Sequence, residues 1–113
     1  MKKQCCVIGL GYIGLPTAAL LANSGYKVTG VDINKSIVDT INKGEIHIVE
    51  KDLEELVSIS VKNGDLKAQI NPTLSDIYII AVPTPIKKKN INNKTITRPD
   101  LNYIYAAIDS LLP

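Results

Sequence analysis

Residues 9–14 read GLGYIG, and they directly follow the apolar run QCCVI at residues 4–8. A short, continuous apolar run that ends at a glycine is typical of a strand buried on both faces of a sheet. The Ala- and Leu-rich stretch Ile13–Ser24 predicts a helix directly afterwards, with Pro16 tolerated near its first turn. The pattern G-x-G-x-x-G is common by chance, but a strand before it and a helix after it give it a mechanism.

That mechanism is the binding of a dinucleotide. Gly9 permits a tight turn, Gly11 lets a diphosphate approach the backbone, and Gly14 lets the helix pack closely on the strand. We expect the diphosphate at the helix N-terminus, where unpaired N–H groups and the helix dipole favour an anion.

Asp32 follows the second predicted strand, Tyr26–Val31. A carboxylate at this place can accept hydrogen bonds from the adenosine ribose hydroxyls, and it repels the additional phosphate of NADP. The residues therefore predict NAD as the cofactor. The alternative is a glycine-rich turn beside an unrelated surface aspartate.

The rest of the chain alternates between helices and apolar strands. The pattern predicts helices at residues 34–43, 52–62 and 100–112 and strands at residues 67–70 and 77–82. This order predicts an α/β fold, a Rossmann-type doubly wound parallel sheet that stops after its fourth strand and the following helix. The connection between the third and fourth strands is short, so we expect at most one helical turn in it.

Thr84 comes just after the fourth predicted strand. That strand neighbours the first across the switch point of a doubly wound sheet, where ligands bind, so Thr84 could touch the cofactor. A simple turn residue would give the same pattern.

The stretch from Pro85 to Pro99, with Lys87-Lys88-Lys89, is interpreted as a solvated polar loop. It does not indicate nucleic-acid binding, because no aromatic residue is interleaved to stack on bases.

Composition narrows the class of protein further. The chain has 113 residues, of which 45% are hydrophobic and 21% charged, the balance of one soluble globular domain or part of one. Cys5 and Cys6 point to opposite faces of a strand, so we interpret them as small buried residues in a reducing cytosol. We expect no metal site, because His47 is the only histidine and no Cys-x-x-Cys occurs. Glycines and Pro16 interrupt the N-terminal apolar stretch, which disfavours a signal peptide or a membrane span.

Several segments resemble the UDP-glucose/GDP-mannose dehydrogenase family. They are residues 9–16 (GLGYIGLP), 31–32 (VD), 82–85 (VPTP) and 99–101 (PDL) with Tyr103. Within the family, residues 44–50 (GEIHIVE), with 31–34 (VDIN) and 39–42 (DTIN), resemble the bacterial UDP-N-acetyl-D-mannosamine dehydrogenases. The choice of sugar depends mainly on residues 44–50. UDP-glucose and UDP-N-acetylglucosamine are the alternatives.

The resemblance implies which residues contact NAD: Gly9, Gly11, Tyr12, Ile13, Gly14, Asp32 and Thr84. It also implies that the parent enzyme oxidises the sugar C6 alcohol to a carboxylate in two NAD-dependent steps, through a thiohemiacetal on a catalytic cysteine. The product would be UDP-N-acetylmannosaminuronate, used for surface polysaccharide. That cysteine and the substrate-binding residues of the family lie beyond residue 113, so no catalytic residue is expected here.

We therefore expect residues 1–113 to be an incomplete N-terminal NAD-binding domain without the central and C-terminal UDP-sugar-binding domains. The resemblance implies a cytoplasmic, homo-oligomeric parent enzyme whose partners are NAD and a UDP-sugar, with no nucleic acid and no membrane span. Two alternatives share the glycine loop. One is a free-standing NAD-binding module that acts by binding alone. The other is a 6-phosphogluconate-type dehydrogenase, which lacks the segments at 44–50 and 82–85.

Overall fold

A computed structural model of the chain describes residues 2–83, 86–91, 94–99 and 101–111. The elements in chain order are β1 (Gln4–Ile8), α1 (Gly14–Ala22), β2 (Lys27–Val31), α2 (Lys35–Asn42), α3 (Leu53–Lys62), β3 (Leu66–Gln69), β4 (Ile77–Ile80), β5 (Ile86–Ile91), β6 (Lys94–Pro99) and α4 (Asn102–Leu111). The predicted strands and helices are confirmed, and their ends differ by at most two residues, the usual uncertainty at element ends.

Strands β1 to β4 form one parallel sheet in the order β3-β2-β1-β4. The chain runs outward from β1 through β2 to β3 and then crosses back to place β4 on the other side of β1. The crossing segment, residues 70–76, contains no helix. The predicted doubly wound α/β fold is confirmed, with its switch point at the carboxyl ends of β1 and β4, where ligands bind in such sheets.

The two faces of this sheet carry separate buried clusters. Cys5 and Val7 of β1 belong to a large cluster with residues from α1, α2 and α3. Cys6 and Ile8 point the other way and pack with Val31 of β2 and with α4. Both cysteines are free thiols, and burial raises the pKa of each because a thiolate loses hydration there.

Helix α2 is capped by Asn34, the residue directly before it. The side-chain oxygen of Asn34 accepts a hydrogen bond from the Ser36 N–H at 3.0 Å, which satisfies one of the N–H groups that lack an intrahelical partner. Gly44, with φ of 79°, follows the C-cap residue Lys43 and ends the helix. The cap fixes the backbone directly after Asp32.

The polar loop predicted up to Pro99 is wrong. Strands β5 and β6 pair antiparallel, from Ile86 opposite Pro99 to Ile91 opposite Lys94, so the three consecutive lysines lie in a strand. Ile86 and Ile91 lie at the two ends of β5, and β6 contains Thr95, Ile96 and Thr97, residue types that favour strands. The density of lysine concealed this pattern.

Candidate functional site

The first glycine of the motif turns the chain away from β1. Gly9 has a φ of 97°, which side-chain-bearing residues rarely adopt, and its N–H donates to the Val31 carbonyl oxygen at 2.7 Å. A Cβ atom at Gly9 would lie 2.5 Å from the carbonyl oxygen of Ala81, which follows β4. The turn therefore lies between the carboxyl ends of β2 and β4. Position 9 requires glycine because of its positive φ and because a Cβ atom would have no room there.

The other two glycines of the motif differ from each other. A Cβ atom at Gly14 would overlap the carbonyl oxygen of Gly9, so the start of α1 lies against the turn. A Cβ atom at Gly11 would meet no protein atom within 4 Å. Packing within the protein therefore excludes a side chain at position 14 but leaves room for one at position 11. What glycine provides at position 11 is open space beside bare backbone, as a diphosphate needs.

Helix α1 begins without a capping side chain. Ile13 is the N-cap residue and makes no side-chain cap, and the first turn contains no acidic residue. Tyr12 and Ile13 are 71% and 72% exposed. The first N–H groups of a helix lack intrahelical partners and carry the positive end of the helix dipole. The start of α1 is thus suited to an anion.

The Asp32 carboxylate connects two backbone segments. Its Oδ2 accepts a hydrogen bond from the Leu10 N–H at 3.1 Å, and its Oδ1 accepts one from the Asn34 N–H at 2.9 Å. An ionised carboxylate offers about four lone-pair positions, so each oxygen can accept a further hydrogen bond. The carboxylate is therefore held in place and can still bind a pair of hydroxyl groups.

Six of the seven predicted site residues lie at the carboxyl ends of β1 and β2. They are Gly9, Gly11, Tyr12, Ile13, Gly14 and Asp32. Thr84 lies outside the described residues. The segment just before it is placed as expected, because the Ala81 N–H donates to the Ile8 carbonyl oxygen at 2.7 Å, beside the glycine turn.

Sequence reasoning missed a contact beneath the turn, between the Leu10 side chain and Gly30 of β2. The Leu10 side chain is only 1% exposed, and a Cβ atom at Gly30 would lie 2.8 Å from its Cδ2 atom. A pattern could have indicated this contact, because a glycine inside a strand often marks a place where another part of the protein approaches closely.

The site offers binding groups but no evident catalyst. Cys5 and Cys6 are buried within β1, and their raised pKa values keep both thiols protonated near neutral pH. His47 is exposed in the connection between α2 and α3. Within the described part of the chain, no group of three or more His, Cys, Asp or Glu side chains could hold a metal ion. No helix there is long and apolar enough to cross a membrane.

The chain resembles known proteins along nearly its whole length. It is 57% identical over 105 residues to the UDP-N-acetyl-D-mannosamine dehydrogenase of Campylobacter jejuni, which covers 93% of this chain and 24% of that protein. It is 52% identical over 111 residues to the NDP-N-acetyl-D-galactosaminuronic acid dehydrogenase of Ralstonia nicotianae, which covers 98% of this chain and 25% of that one. The chain thus spans about a quarter of the length of the curated relatives it matches.

A solved structure shows the same fold. The UDP-N-acetyl-mannosamine dehydrogenase Cap5O of Staphylococcus aureus superimposes with a TM-score of 0.88 at 40% sequence identity, over 97% of this chain and 25% of that one. Residues 3–113 match the NAD binding domain of the UDP-glucose/GDP-mannose dehydrogenase family. The chain therefore belongs to that family and corresponds to its NAD-binding domain.

Proposed function

We propose that the turn at residues 9–14 and the Asp32 carboxylate form the NAD site of this domain. The diphosphate lies over Gly11 at the start of α1, and Asp32 accepts hydrogen bonds from the adenosine ribose hydroxyls. Gly9 and Gly14 shape the turn, and Tyr12 and Ile13 flank the diphosphate. The observation that carries this proposal is the position of the fixed carboxylate on the Leu10 N–H, directly beside the open backbone of Gly11.

Thr84 belongs to the same proposal through its place in the sequence. It follows the segment in which Ala81 bonds to the end of β1, and β4 neighbours β1 at the switch point. We expect its hydroxyl or backbone to contact the cofactor from the β4 side.

The geometry at Asp32 favours NAD over NADP. Two N–H donors hold the carboxylate, so it cannot swing away from a phosphate on the ribose 2′ oxygen without losing both hydrogen bonds. Two negative charges at about 4 Å repel each other by roughly 1 kcal/mol in water and more in a partly buried site. A preference of tenfold or more for NAD is therefore expected, since about 1.4 kcal/mol corresponds to that factor.

We propose further that the chain is the NAD-binding part of a UDP-N-acetyl-D-mannosamine dehydrogenase. This enzyme oxidises the sugar C6 alcohol to a carboxylate for surface polysaccharide synthesis. The names of several relatives support this activity. The Ralstonia relative is named for a different sugar, so UDP-glucose and UDP-N-acetylglucosamine stay as alternative substrates, and a stand-alone NAD-binding module stays as the alternative without catalysis. Cys5 and Cys6 are buried and do not fit the role of the nucleophile. The proposal therefore assigns the nucleophile, and with it the UDP-sugar site, to the length of the relatives that this chain does not span. A cytoplasmic, homo-oligomeric enzyme is part of the same proposal.

Titration of the purified chain with NADH and NADPH, followed by fluorescence, tests the cofactor site. We expect binding of NADH, weaker binding of NADPH, and a loss of about tenfold or more in NADH affinity for Asp32→Ala, which removes hydrogen bonds to a charged group. Asp39→Ala is the matched control, because Asp39 is exposed on α2 and should leave affinity unchanged. Equal affinity for both cofactors, or equal losses in the two variants, would contradict the site.

A separate assay tests where the chemistry lies. NAD and UDP-N-acetyl-D-mannosamine added to this chain alone should produce no NADH, because this proposal assigns both the UDP-sugar site and the nucleophile to the length of the relatives that the chain does not span. Measurable turnover would show that the chain holds a catalytic group, and the division of labour proposed above would be wrong.

A further inference from the structure

Gly30 lies in the middle of β2, where a glycine needs an explanation. It is buried and pairs with Val7 on one side and Ala68 on the other. Its φ is not among the positive values found at Gly9 and other turn glycines, so its backbone would accept a side chain. A glycine inside a strand costs roughly 0.5–1 kcal/mol relative to alanine. The reason for glycine at this position must therefore lie in the space above it.

Leu10 occupies that space. A Cβ atom at Gly30 would lie 2.8 Å from Leu10 Cδ2 and 3.0 Å from Leu10 Cδ1, whereas carbon atoms pack at about 3.5–4.0 Å. Leu10 is the single residue between Gly9 and Gly11, a position that the motif leaves free to vary, yet its side chain is turned inward and almost fully buried. The glycine turn is thus anchored on β2 by one leucine.

The backbone of the same leucine holds the proposed ribose ligand. The Leu10 N–H donates to Asp32 Oδ2 at 3.1 Å, and Asp32 follows Gly30 by two residues along the same chain segment. The depth to which Leu10 settles onto Gly30 therefore sets the height of its N–H above the end of β2. A methyl group at Gly30 would force the end of the Leu10 side chain to shift. Because that side chain is almost fully buried and has little room to move, we expect part of the shift to reach its backbone and lengthen this hydrogen bond.

We infer that Leu10 and Gly30 are positioning residues for the Asp32 carboxylate. Gly30 provides the space, the Leu10 side chain fills it, and the Leu10 N–H fixes one carboxylate oxygen for the ribose hydroxyls. This inference rests on the proposed NAD site. When the Leu10 bond is lost, the carboxylate keeps only the Asn34 N–H and can rotate away from the ribose.

A steric double-mutant cycle tests the contact. Gly30→Ala is expected to lower NAD affinity about tenfold, within the range of coupling found between touching residues. Leu10→Ala empties the same space, and the double variant Leu10→Ala/Gly30→Ala puts a methyl group where the leucine was. We expect the double variant to bind NAD more tightly than Gly30→Ala alone, because the clash has been removed.

The decisive readout is recognition of the ribose hydroxyl. The affinity ratio of NAD to its 2′-deoxyadenosine analogue measures what the carboxylate contributes, and in Gly30→Ala this ratio should fall towards one. Leu66→Ala is the control, because Leu66 is an equally buried leucine at the start of β3. It should weaken the fold but leave the ratio unchanged. All variants are compared well below their unfolding temperatures.

The outcomes separate the two proposals. If the unsubstituted chain does not prefer NAD over the deoxy analogue, the proposed NAD site itself fails. If that preference exists and folded Gly30→Ala keeps it in full, the positioning role of Gly30 is overturned. If Gly30→Ala does not fold, Leu10→Val replaces it, because that change shortens the anchor without adding atoms. A full preference in Leu10→Val would equally overturn the inference.

Discussion

The two faces of the parallel sheet are completed to different extents. The face that carries Cys5 and Val7 is covered by α1, α2 and α3 around a continuous buried cluster. On the opposite face the buried cluster is much smaller: Cys6, Ile8, Val31 and Ala107 of α4 are buried there, and the neighbouring Ile80 of β4 is 37% exposed. Parallel sheets are normally covered on both faces. We call these the closed face and the open face.

The difference matters because the binding turn is anchored on the closed face. Leu10 and Leu15, on either side of the start of α1, both belong to the cluster on that face. Through Leu10 this cluster reaches the Asp32 carboxylate. The geometry of the proposed NAD site therefore depends on packing that this chain supplies itself, and little of it depends on the open face.

The largest expected effect is that of Gly14→Ala. Its Cβ atom would overlap the Gly9 carbonyl oxygen, and backbone cannot move aside as a flexible side chain can. We expect a loss of more than about 3 kcal/mol in the free energy of unfolding, measured by urea denaturation. Gly11→Ala is the contrasting variant, because its Cβ atom meets open space. It should keep its stability and lose NAD affinity. Equal stability of the two variants would contradict this distinction.

Next in size is the difference between the two faces themselves. Leu15→Ala removes a fully buried side chain from the closed face and should cost about 2–5 kcal/mol. Ile80→Ala removes one that is 37% exposed on the open face, and it should cost roughly half of that or less. Urea denaturation of both variants measures the two losses. Similar losses would mean that the open face is covered in solution, and the comparison would break down.

A smaller effect is expected at the outer edge of β3. The Asn42 amide accepts from the Ala68 N–H at 2.8 Å and donates to the Ala68 carbonyl oxygen at 2.9 Å, as a neighbouring strand would. Asn42→Ala leaves both backbone groups without these partners and should cost about 1–3 kcal/mol. Asn63→Ala, at the exposed end of α3, is the control and should stay within about 0.5 kcal/mol. A negligible loss for Asn42→Ala would show that water replaces the amide at this edge.

The smallest effect is expected in the alkylation rates of the two thiols. Cys5 lies on the closed face and Cys6 on the open face. Burial raises the pKa of both, so the folded state favours the neutral thiol. Their contribution to stability is present below the ordinary thiol pKa and is lost as the pH rises through the raised folded value. Near neutral pH, alkylation of the folded chain should therefore be slow at both thiols, which are almost completely buried. Local opening of the open face should expose Cys6 while the closed face stays packed, so mass spectrometry should find Cys6 modified before Cys5. The reverse order would assign the looser packing to the closed face.

Much of the closed face could be predicted from the sequence. Apolar runs and helical spacing are local patterns, and the glycine motif joins β1 to α1 over a few residues, so their positions were predicted to within two residues. The order of the strands followed from the alternation of strands and helices, which predicted a doubly wound sheet in spite of the short connection before β4. Asp32 was found because its place at the end of β2 is itself part of the dinucleotide pattern.

Two features could not be predicted in the same way. The contact of Leu10 with Gly30 exists only once β1 and β2 lie side by side. The glycine inside β2 indicates that something approaches it closely, but nothing in the local sequence indicates that Leu10 is the partner. The hairpin of β5 and β6 was missed because consecutive lysines interrupt the alternation by which a half-buried strand is recognised. Local sequence patterns therefore predicted neither the long-range contact nor the lysine-rich strands.

The central claim is that NAD binds on the turn at residues 9–14 and on Asp32. Titration of the ¹⁵N-labelled chain with NAD, followed by amide chemical shifts, tests it most directly. The account predicts that the largest shifts occur at residues 9–14 and 32–34, including the Leu10 N–H that bonds to the carboxylate. Unchanged signals in both segments at saturating NAD, or larger shifts on α4 than on the turn, would contradict it.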